Sequence, residues 1–219
     1  NPVWPYLDWA TAATNIQDAV NAGTVIGRSV VVTNGVYESG VVEADGKNRV
    51  ALTNAVVRSV NGPEVTIIDG GTNSRCVFLG ANALLSGFTC RNGWGIELSS
   101  WRMPDGGGVR ASSSAVISNC ILSRNSGWFG GGVRGGTLNR CTLVGNNAVS
   151  GGGGAFESML NDCTLIGNSV IYGGEFWGGG GASACTLNNC VVTGNQSEFY
   201  GGGVARSALY SCTVVGNSA

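Results

Sequence analysis

The sequence predicts an all-β fold, a parallel β-helix whose short strands wind into stacked coils, with one short capping α-helix at the N-terminal end. Two observations carry this prediction. A run of glycines, a cysteine and an asparagine recur in that order five times between Gly106 and Asn217. The repeats are roughly 21 to 24 residues long, with one of about 27, and a fixed period of this length is typical of solenoids. Apolar and polar residues also alternate within each repeat, as in half-buried strands.

Each repeat contains one cysteine and, five residues later, one asparagine. The cysteines are Cys120, Cys141, Cys163, Cys190 and Cys212, and the asparagines are Asn125, Asn146, Asn168, Asn195 and Asn217. We expect the asparagines to lie at turns, where they tolerate left-handed backbone angles, and to stack inward so that their amides bond along the column. The cysteines are expected to form a second column of small buried side chains.

The apolar runs of the repeats are too short for helices. Gly-Asn or Arg-Asn pairs interrupt them, and such breaks every dozen residues or so would stop a helix. Three short strands per coil, stacked in parallel about 4.8 Å apart, would satisfy the backbone hydrogen bonds between coils.

The beginning of the chain has a different pattern, which predicts a helix over residues 11–22. Asp8 or Thr14 can cap this helix, Gln17 can complete a capping box with Thr14, and Gly23 can end it. We expect the helix to cover the open end of the first coil, because an uncovered sheet edge invites aggregation.

The chain is interpreted as one β-helix domain, residues 1–219. Residues 1–75 form the N-terminal cap and the first coils, and residues 76–219 form the regular coils. No capping pattern follows Asn217. This favours continuation into further coils, or self-association end to end through the open C-terminal coil.

Composition excludes several partners. Charged residues make up 11% of the chain, the net charge is −1 and there is no histidine. Nucleic acids and anionic membranes are therefore not expected as partners, because basic clusters supply the affinity for both. No run approaches the roughly 20 apolar residues of a membrane span, so membrane insertion is not expected. We expect no cofactor.

Several segments carry a family resemblance. Ser59–Gly71 and Leu84–Thr89 resemble secreted bacterial right-handed β-helix repeat proteins of the pectin-lyase-like superfamily, and Ala10–Val20 is similar to their N-terminal cap. The Gly-Gly-Gly-Val blocks, with Phe88–Asn92 and Leu143–Asn146, resemble the repeats of polymorphic outer-membrane adhesins. The resemblance covers nearly the whole chain. It implies a right-handed winding and an extracellular or cell-surface location, but the superfamily includes lyases, hydrolases and non-catalytic surface proteins.

The cysteines leave three interpretations open. The column cysteines, with Cys76, Cys90 and Cys185, can be buried thiols, disulfides or a metal site. Adjacent coils bring Cα atoms within disulfide range, and a secreted location preserves disulfides. One cysteine per coil favours core packing. Zinc is disfavoured, because Cys185 and Cys190 lack the Cys-x-x-Cys spacing and histidine is absent.

A catalytic site would need paired ionisable groups. Glycoside hydrolysis requires two carboxylates about 5 to 10 Å apart. The resemblance implies, for a lyase, aspartates that hold calcium and an arginine or lysine base, but no segment here matches such a motif. Glu97, Arg102 and Asp105 share the longest insertion and are weak catalytic candidates, and a solvated loop is the competing interpretation.

Aromatic residues stand immediately before the glycine runs. They are Trp128, Phe129, Phe176, Trp177, Phe199 and Tyr200, and the longest insertion adds Trp94 and Trp101. Equal positions in the repeat predict one stripe along the axis, where rings two coils, or about 10 Å, apart could stack on a sugar chain. The alternatives are rings folded back onto the coils and a self-association surface.

The first functional hypothesis is therefore a structural or adhesive module that binds polysaccharide through this stripe. The second is a polysaccharide lyase or glycoside hydrolase with its site in the long loops. A carboxylate cluster or a bound calcium beside the stripe would favour the second hypothesis.

Overall fold

A computed structural model describes residues 2–4, 6–26, 29–95, 105–172 and 178–219. Within these residues the chain forms one helix, Ile16–Ile26, and four β-sheets, which we name A, B, C and D. Strands of successive coils pair in parallel, while the hairpin strand Val42–Glu43 pairs antiparallel with Lys47–Leu52. An all-β chain with one short helix and stacked parallel sheets fits the predicted β-solenoid.

Sheets A and B form two neighbouring sides of the coils. Sheet A contains Val30–Val32, Val56–Ser59, Leu84–Ser86, Val116–Ser118, Thr137–Asn139, Met159–Asn161, Thr186–Asn188 and Ala208–Tyr210. Sheet B contains Gly35–Tyr37, Thr66–Asp69, Thr89–Arg91, Ile121–Ser123, Thr142–Val144, Thr164–Ile166, Val191–Thr193 and Thr213–Val215.

Sheets C and D form the remaining sides. Sheet C contains Val42–Glu43, Lys47–Leu52, Arg75–Leu79, Val109–Ala111, Val133–Arg134, Ala155–Phe156, Ala182–Ser183 and Val204–Ala205. Sheet D begins later in the chain and contains Trp94–Gly95, Ser126–Phe129, Asn147–Gly151, Ser169–Val170 and Gln196–Ser197.

The expectation of three strands per coil was wrong for the regular repeats, where each coil contributes to four sheets. The difference is the segment after each column asparagine, which pairs with its equivalent in the next coil as sheet D. In this segment Gly127, Ala148 and Val170 point inward. These small residues leave a weak strand pattern in the sequence, so the pairing was not visible there.

Apolar side chains of sheets A, B and C fill the interior in columns, one residue per coil. Sheet A contributes Leu85, Ile117, Leu138, Leu160 and Leu187, and sheet B contributes Leu122, Leu143, Leu165 and Val192, all fully buried. The register pairs each of these residues directly with its equivalent in the next coil. The period-2 alternation of the sequence therefore translates directly into an inner and an outer face.

The N-terminal helix starts and ends later than predicted. Asn15 caps it, because its Oδ1 accepts the backbone N–H of Asp18 at 2.8 Å. Asp8 instead accepts from Thr11, outside the helix. Gly23 does not end the helix, which continues to Ile26. The helix packs its apolar side on the first coil, and this contact outweighs the low helix propensity of glycine.

Gln17 has a different role from the predicted capping box. Its side-chain oxygen accepts the backbone N–H of Ala51 at 2.7 Å, and its amide nitrogen donates to the Ala51 carbonyl at 3.2 Å. Ala51 lies in an early strand of sheet C. The side chain of Gln17 thus supplies the hydrogen bonds that a neighbouring strand would otherwise make, which is how the helix protects this edge.

The asparagine column is confirmed as a hydrogen-bonded ladder. Oδ1 of Asn146 accepts from both the backbone N–H and the side-chain amide of Asn125, at 3.1 and 3.0 Å. Nδ2 of Asn146 donates to Leu122 O at 2.8 Å and to Asn168 Oδ1 at 2.9 Å. The same pattern continues through Asn195 to Asn217. Each amide from Asn125 to Asn195 therefore links three consecutive coils, and Asn217 links the last two.

The predicted left-handed backbone does not fall on the ladder asparagines but on the residue before each of them. Gly145, before Asn146, has φ +60°, and Arg124, before Asn125, has φ +54°. The ladder begins at Asn125, whose Oδ1 accepts from Gly93 N at 2.7 Å. A turn at the preceding residue is what directs each asparagine side chain inward.

The cysteine column is buried except at its last member. The backbone N–H of Cys141 donates to Sγ of Cys163 at 3.4 Å, and the same contact joins Cys163 to Cys190 and Cys190 to Cys212. All eight cysteines are free thiols, and Cys212 is half-buried while the others are buried. Burial raises the pKa of Cys76 and that of Cys185 to about 12. The thiols act as weak acceptors inside the core.

The ladder predicts a stability cost for Asn146→Ala. The substitution leaves the N–H and amide of Asn125 without their acceptor, so we expect it to lower the free energy of unfolding by about 1 to 3 kcal/mol. Asn147→Ala is the matched control, since Asn147 is the next residue and lies on the partly exposed face of sheet D. We expect the control to stay within about 0.5 kcal/mol. Chemical denaturation measures both, and equal losses would contradict a special role for the ladder.

The thiols predict a two-stage titration with a thiol reagent. In the native protein at neutral pH few groups should react, because burial and raised pKa values suppress the reactive thiolate. In denaturant without reductant, eight thiols per chain should react. A markedly smaller number after denaturation would show that disulfides form, and fast reaction in the native state would show that the column is open to solvent.

Candidate functional site

Of the predicted aromatic residues that the structure describes, all but Trp94 lie at the corner where sheet D turns into sheet C, and Trp94 lies at the other end of its sheet D strand. Trp94 opens the first strand of sheet D and is 38% exposed. Trp128 and Phe129 end the next strand and are half-buried. Phe199 and Tyr200 stand before the last glycine run and are 58% and 55% exposed. Trp101, Phe176 and Trp177 fall outside the described residues, as do Glu97 and Arg102.

The backbone pairing fixes which of these positions are equivalent. Phe129 pairs with Gly151, and the carbonyls of Phe129 and Tyr200 accept from Gly106 and Gly179. The carbonyl of Gly178 likewise accepts from Gly152. In the two four-glycine runs, the turn glycine is therefore the second one. The stripe is thus interrupted at Gly151 and Gly178, where no side chain is present.

Phe129 is folded back onto the neighbouring coil. Its ring centroid lies 4.6 Å from that of Phe156, with 34° between the ring planes. The guanidinium of Arg134 lies over both rings, with Cζ 5.9 Å from the Phe129 centroid and 5.4 Å from the Phe156 centroid. A tilted ring pair with a cation over it is a favourable arrangement. Phe129 therefore follows the folded-back alternative, whereas Trp94, Phe199 and Tyr200 stay exposed.

Arg134 also joins two carboxylates. Its Nη1 donates to Oδ2 of Asp105, and its Nη2 and Nε lie 3.0 and 3.1 Å from Oε2 of Glu157. The two acids differ in accessibility: the side chain of Asp105 is 10% exposed and that of Glu157 is 49% exposed. The structure thus brings Asp105 together with an arginine and a second carboxylate that the sequence did not single out.

Asp105 is held in place from the inside by Arg75. The Arg75 guanidinium, 3% exposed as a residue, donates to the carbonyls of Asp105 and Gly106 at 3.0 to 3.2 Å and to Asn48 Oδ1 at 2.8 Å. Burial lowers the pKa of Arg75 to about 10, so it remains charged at neutral pH. Among the described residues, Oδ1 of Asp105 has no hydrogen-bond partner.

Two features of this corner were missed in the sequence. Tyr172 follows a strand of sheet D, where its N–H donates to Val149 O, and its side chain is 69% exposed. It stands six residues before the glycine run that begins at Gly178, whereas the predicted stripe contains residues immediately before such runs. Arg134 and Glu157 were missed because they are separated in sequence and meet only when two coils stack.

A second, outer amide ladder was also missed. Asn161 donates to Asn139 Oδ1 at 2.9 Å, and Asn188 donates to Asn161 Oδ1 at 2.8 Å. These half-buried residues each stand two positions before a column cysteine. That fixed spacing was the signal that could have revealed them.

A cavity of about 400 Å³ lies away from this corner, between the N-terminal segment and the first coil. Trp9, Ile16, Val30 and Tyr37 are among the residues that line it. Its polar groups are already bonded locally: Tyr37 donates to Thr33 O at 3.0 Å, and Asp8 accepts from Thr11. We therefore place the candidate site at the corner of sheets D and C.

The described part of the chain contains no group of three or more metal-ligating acidic, cysteine or histidine side chains. None of its helices combines the length and apolar character that crossing a membrane requires. In comparisons with protein families, with curated proteins and with solved structures, no match to this chain was found.

The ion pairs predict a coupled effect of Arg134 and Asp105 on stability. Arg134→Met keeps an apolar stem over the two rings but leaves the buried Asp105 charge without its partner, so we expect a loss of about 1 to 3 kcal/mol. Asp105→Asn in the same chain should recover part of that loss, since the uncompensated charge disappears. Chemical denaturation of the two single variants and the double variant measures the coupling, and strictly additive losses would contradict it.

Proposed function

We propose that this chain is a non-catalytic, adhesive β-helix module of a secreted or cell-surface protein, and that it binds polysaccharide along the corner of sheets D and C. We also propose a right-handed winding, because connections between parallel strands of one sheet are right-handed in about 98% of cases. This is the winding of the pectin-lyase-like superfamily that the sequence resembles.

The observation that carries the proposal is the row of exposed aromatic side chains on this corner. Tyr172, Phe199 and Tyr200 lie at this corner in two neighbouring coils, Trp94 lies on sheet D of an earlier coil, and the four residues are 38% to 69% exposed. Tyr172 lies one coil before Phe199 and Tyr200, and exposed apolar side chains grouped in this way are uncommon on a soluble protein unless they contact a partner. Flat rings repeated along the solenoid axis suit an extended chain of sugar rings, which offers a similar apolar face at each unit.

A hydrolase or lyase is the second candidate, because Asp105 and Glu157 both contact Arg134. A pair of carboxylates is what glycoside hydrolysis requires. The burial of Asp105, 8% exposed, supports the non-catalytic proposal, since its carboxylate is not presented to a dissolved substrate.

Loss of single aromatic rings should weaken polysaccharide binding. After a glycan array has identified a ligand, Tyr172→Ala and Tyr200→Ala should each raise the Kd up to about tenfold, the loss expected for one stacking contact. Tyr210→Ala is the matched control, because Tyr210 is 58% exposed but lies on sheet A. The proposal fails if no glycan binds, or if the control loses as much affinity as the other two.

The same incubations distinguish binding from catalysis. Reducing ends and unsaturated products are measured in the mixtures with wild-type protein and with Asp105→Asn. We expect neither product above the no-protein control. Product formation that Asp105→Asn abolishes would favour the enzyme instead.

A further inference from the structure

We infer that the polysaccharide bound at this corner is uncharged, and that Glu157 and Asp105 exclude polyuronates by occupying the positive charge of Arg134. The inference rests on the proposed function and names the class of ligand that the same site accepts.

Arg134 is a cation in direct contact with aromatic rings of this corner. Its guanidinium lies over the rings of Phe129 and Phe156, and its side chain is 23% exposed. An arginine in this position would normally be the residue that binds a sugar carboxylate, because its planar fork matches a carboxylate with two hydrogen bonds.

Both sides of the Arg134 fork are already occupied by protein carboxylates. The carboxylate of Asp105 accepts a hydrogen bond from Nη1 of Arg134, and the carboxylate of Glu157 pairs with Nη2 and Nε. Asp105 cannot turn away easily, because its backbone carbonyl is fixed by the buried Arg75. A uronate would therefore have to displace Glu157 or remain unpaired beside the two protein carboxylates.

The neighbouring cations are occupied as well. Arg110 lies next to Arg134 in sheet C, and its Nε is 3.6 Å from Oδ2 of Asp45. Arg75 is buried and bonded to backbone carbonyls. Arg206, two coils further along than Glu157, also has a partner. Among the described residues, this part of the corner thus offers a polyuronate no unpaired positive charge.

Glu157 gives the site a preference for hydroxyl groups. Its side chain is 49% exposed beside the ring pair. A carboxylate accepts up to about four hydrogen bonds, so Glu157 can accept from sugar hydroxyls while it still holds Arg134. Neutral sugars supply such donors along the whole chain, whereas carboxylated sugars add a repelling charge.

The test uses polymers that share a backbone and differ in charge. Affinity gel electrophoresis measures the binding of wild-type protein to hydroxyethylcellulose and carboxymethylcellulose, and to methyl-esterified pectin and polygalacturonate. Where the protein binds a pair of polymers, we expect the Kd for the neutral polymer to be about tenfold lower than the Kd for its carboxylated counterpart, because like charges repel. Equal or tighter binding of the carboxylated member would overturn the inference.

Glu157→Gln then tests the residue that we hold responsible. It should improve binding of the carboxylated polymer about fivefold at low salt, and this gain should disappear at about 0.5 M salt, where charge interactions are screened. Glu64→Gln is the matched control, an exposed acid in the turn between sheets A and B. No gain from Glu157→Gln, or the same gain from Glu64→Gln, would overturn the inference.

The outcomes separate this inference from the proposed function. In one outcome, the aromatic variants lose binding of the neutral polymers, but Glu157→Gln does not change binding of the carboxylated ones. The adhesive function would then stand, and the inference that Glu157 selects uncharged polysaccharides would be wrong. If none of the four polymers binds and the glycan array is also empty, both the function and the inference are wrong.

Discussion

Each regular coil of this protein is joined to the next by the amide of a buried asparagine. The strands are only two to six residues long, so many backbone groups lie at turns where no sheet can pair them. The ladder side chains accept the N–H of the preceding coil's asparagine and donate to a carbonyl of that same preceding coil. Because unpaired buried polar groups are costly, this pairing makes the coils stack in one register.

That register explains the position of the corner between sheets D and C. A fixed asparagine at each coil places the following residues, the strand of sheet D and then the glycine turn, at the same site in every coil. The turns need glycine where backbones meet: Gly130 has φ +64°, and a Cβ there would lie 2.1 Å from Val133 O. Side chains just before these turns therefore emerge along a single line.

Charge is scarce in this chain, and much of it is concentrated beside that line. Arg75 is buried to fix the backbone that carries Asp105, and Asp105 in turn holds Arg134 over the ring pair. A rigid stack makes this possible, because residues from neighbouring coils are held within hydrogen-bond distance without a flexible loop between them. The corner combines apolar rings with an ion-pair network whose cations are already matched.

The repeat in the sequence determined the solenoid class, the inward columns and the corner that carries the aromatic rings, because side chains at one repeat position must share one direction when coils stack in register. The tertiary structure decided what depends on contacts between coils. Small inward residues formed a fourth sheet, Gln17 bonded a strand instead of its own helix, Phe129 turned onto Phe156, and Arg134 found Glu157. A single repeat contains none of these partners, since each arises only when two coils pack together.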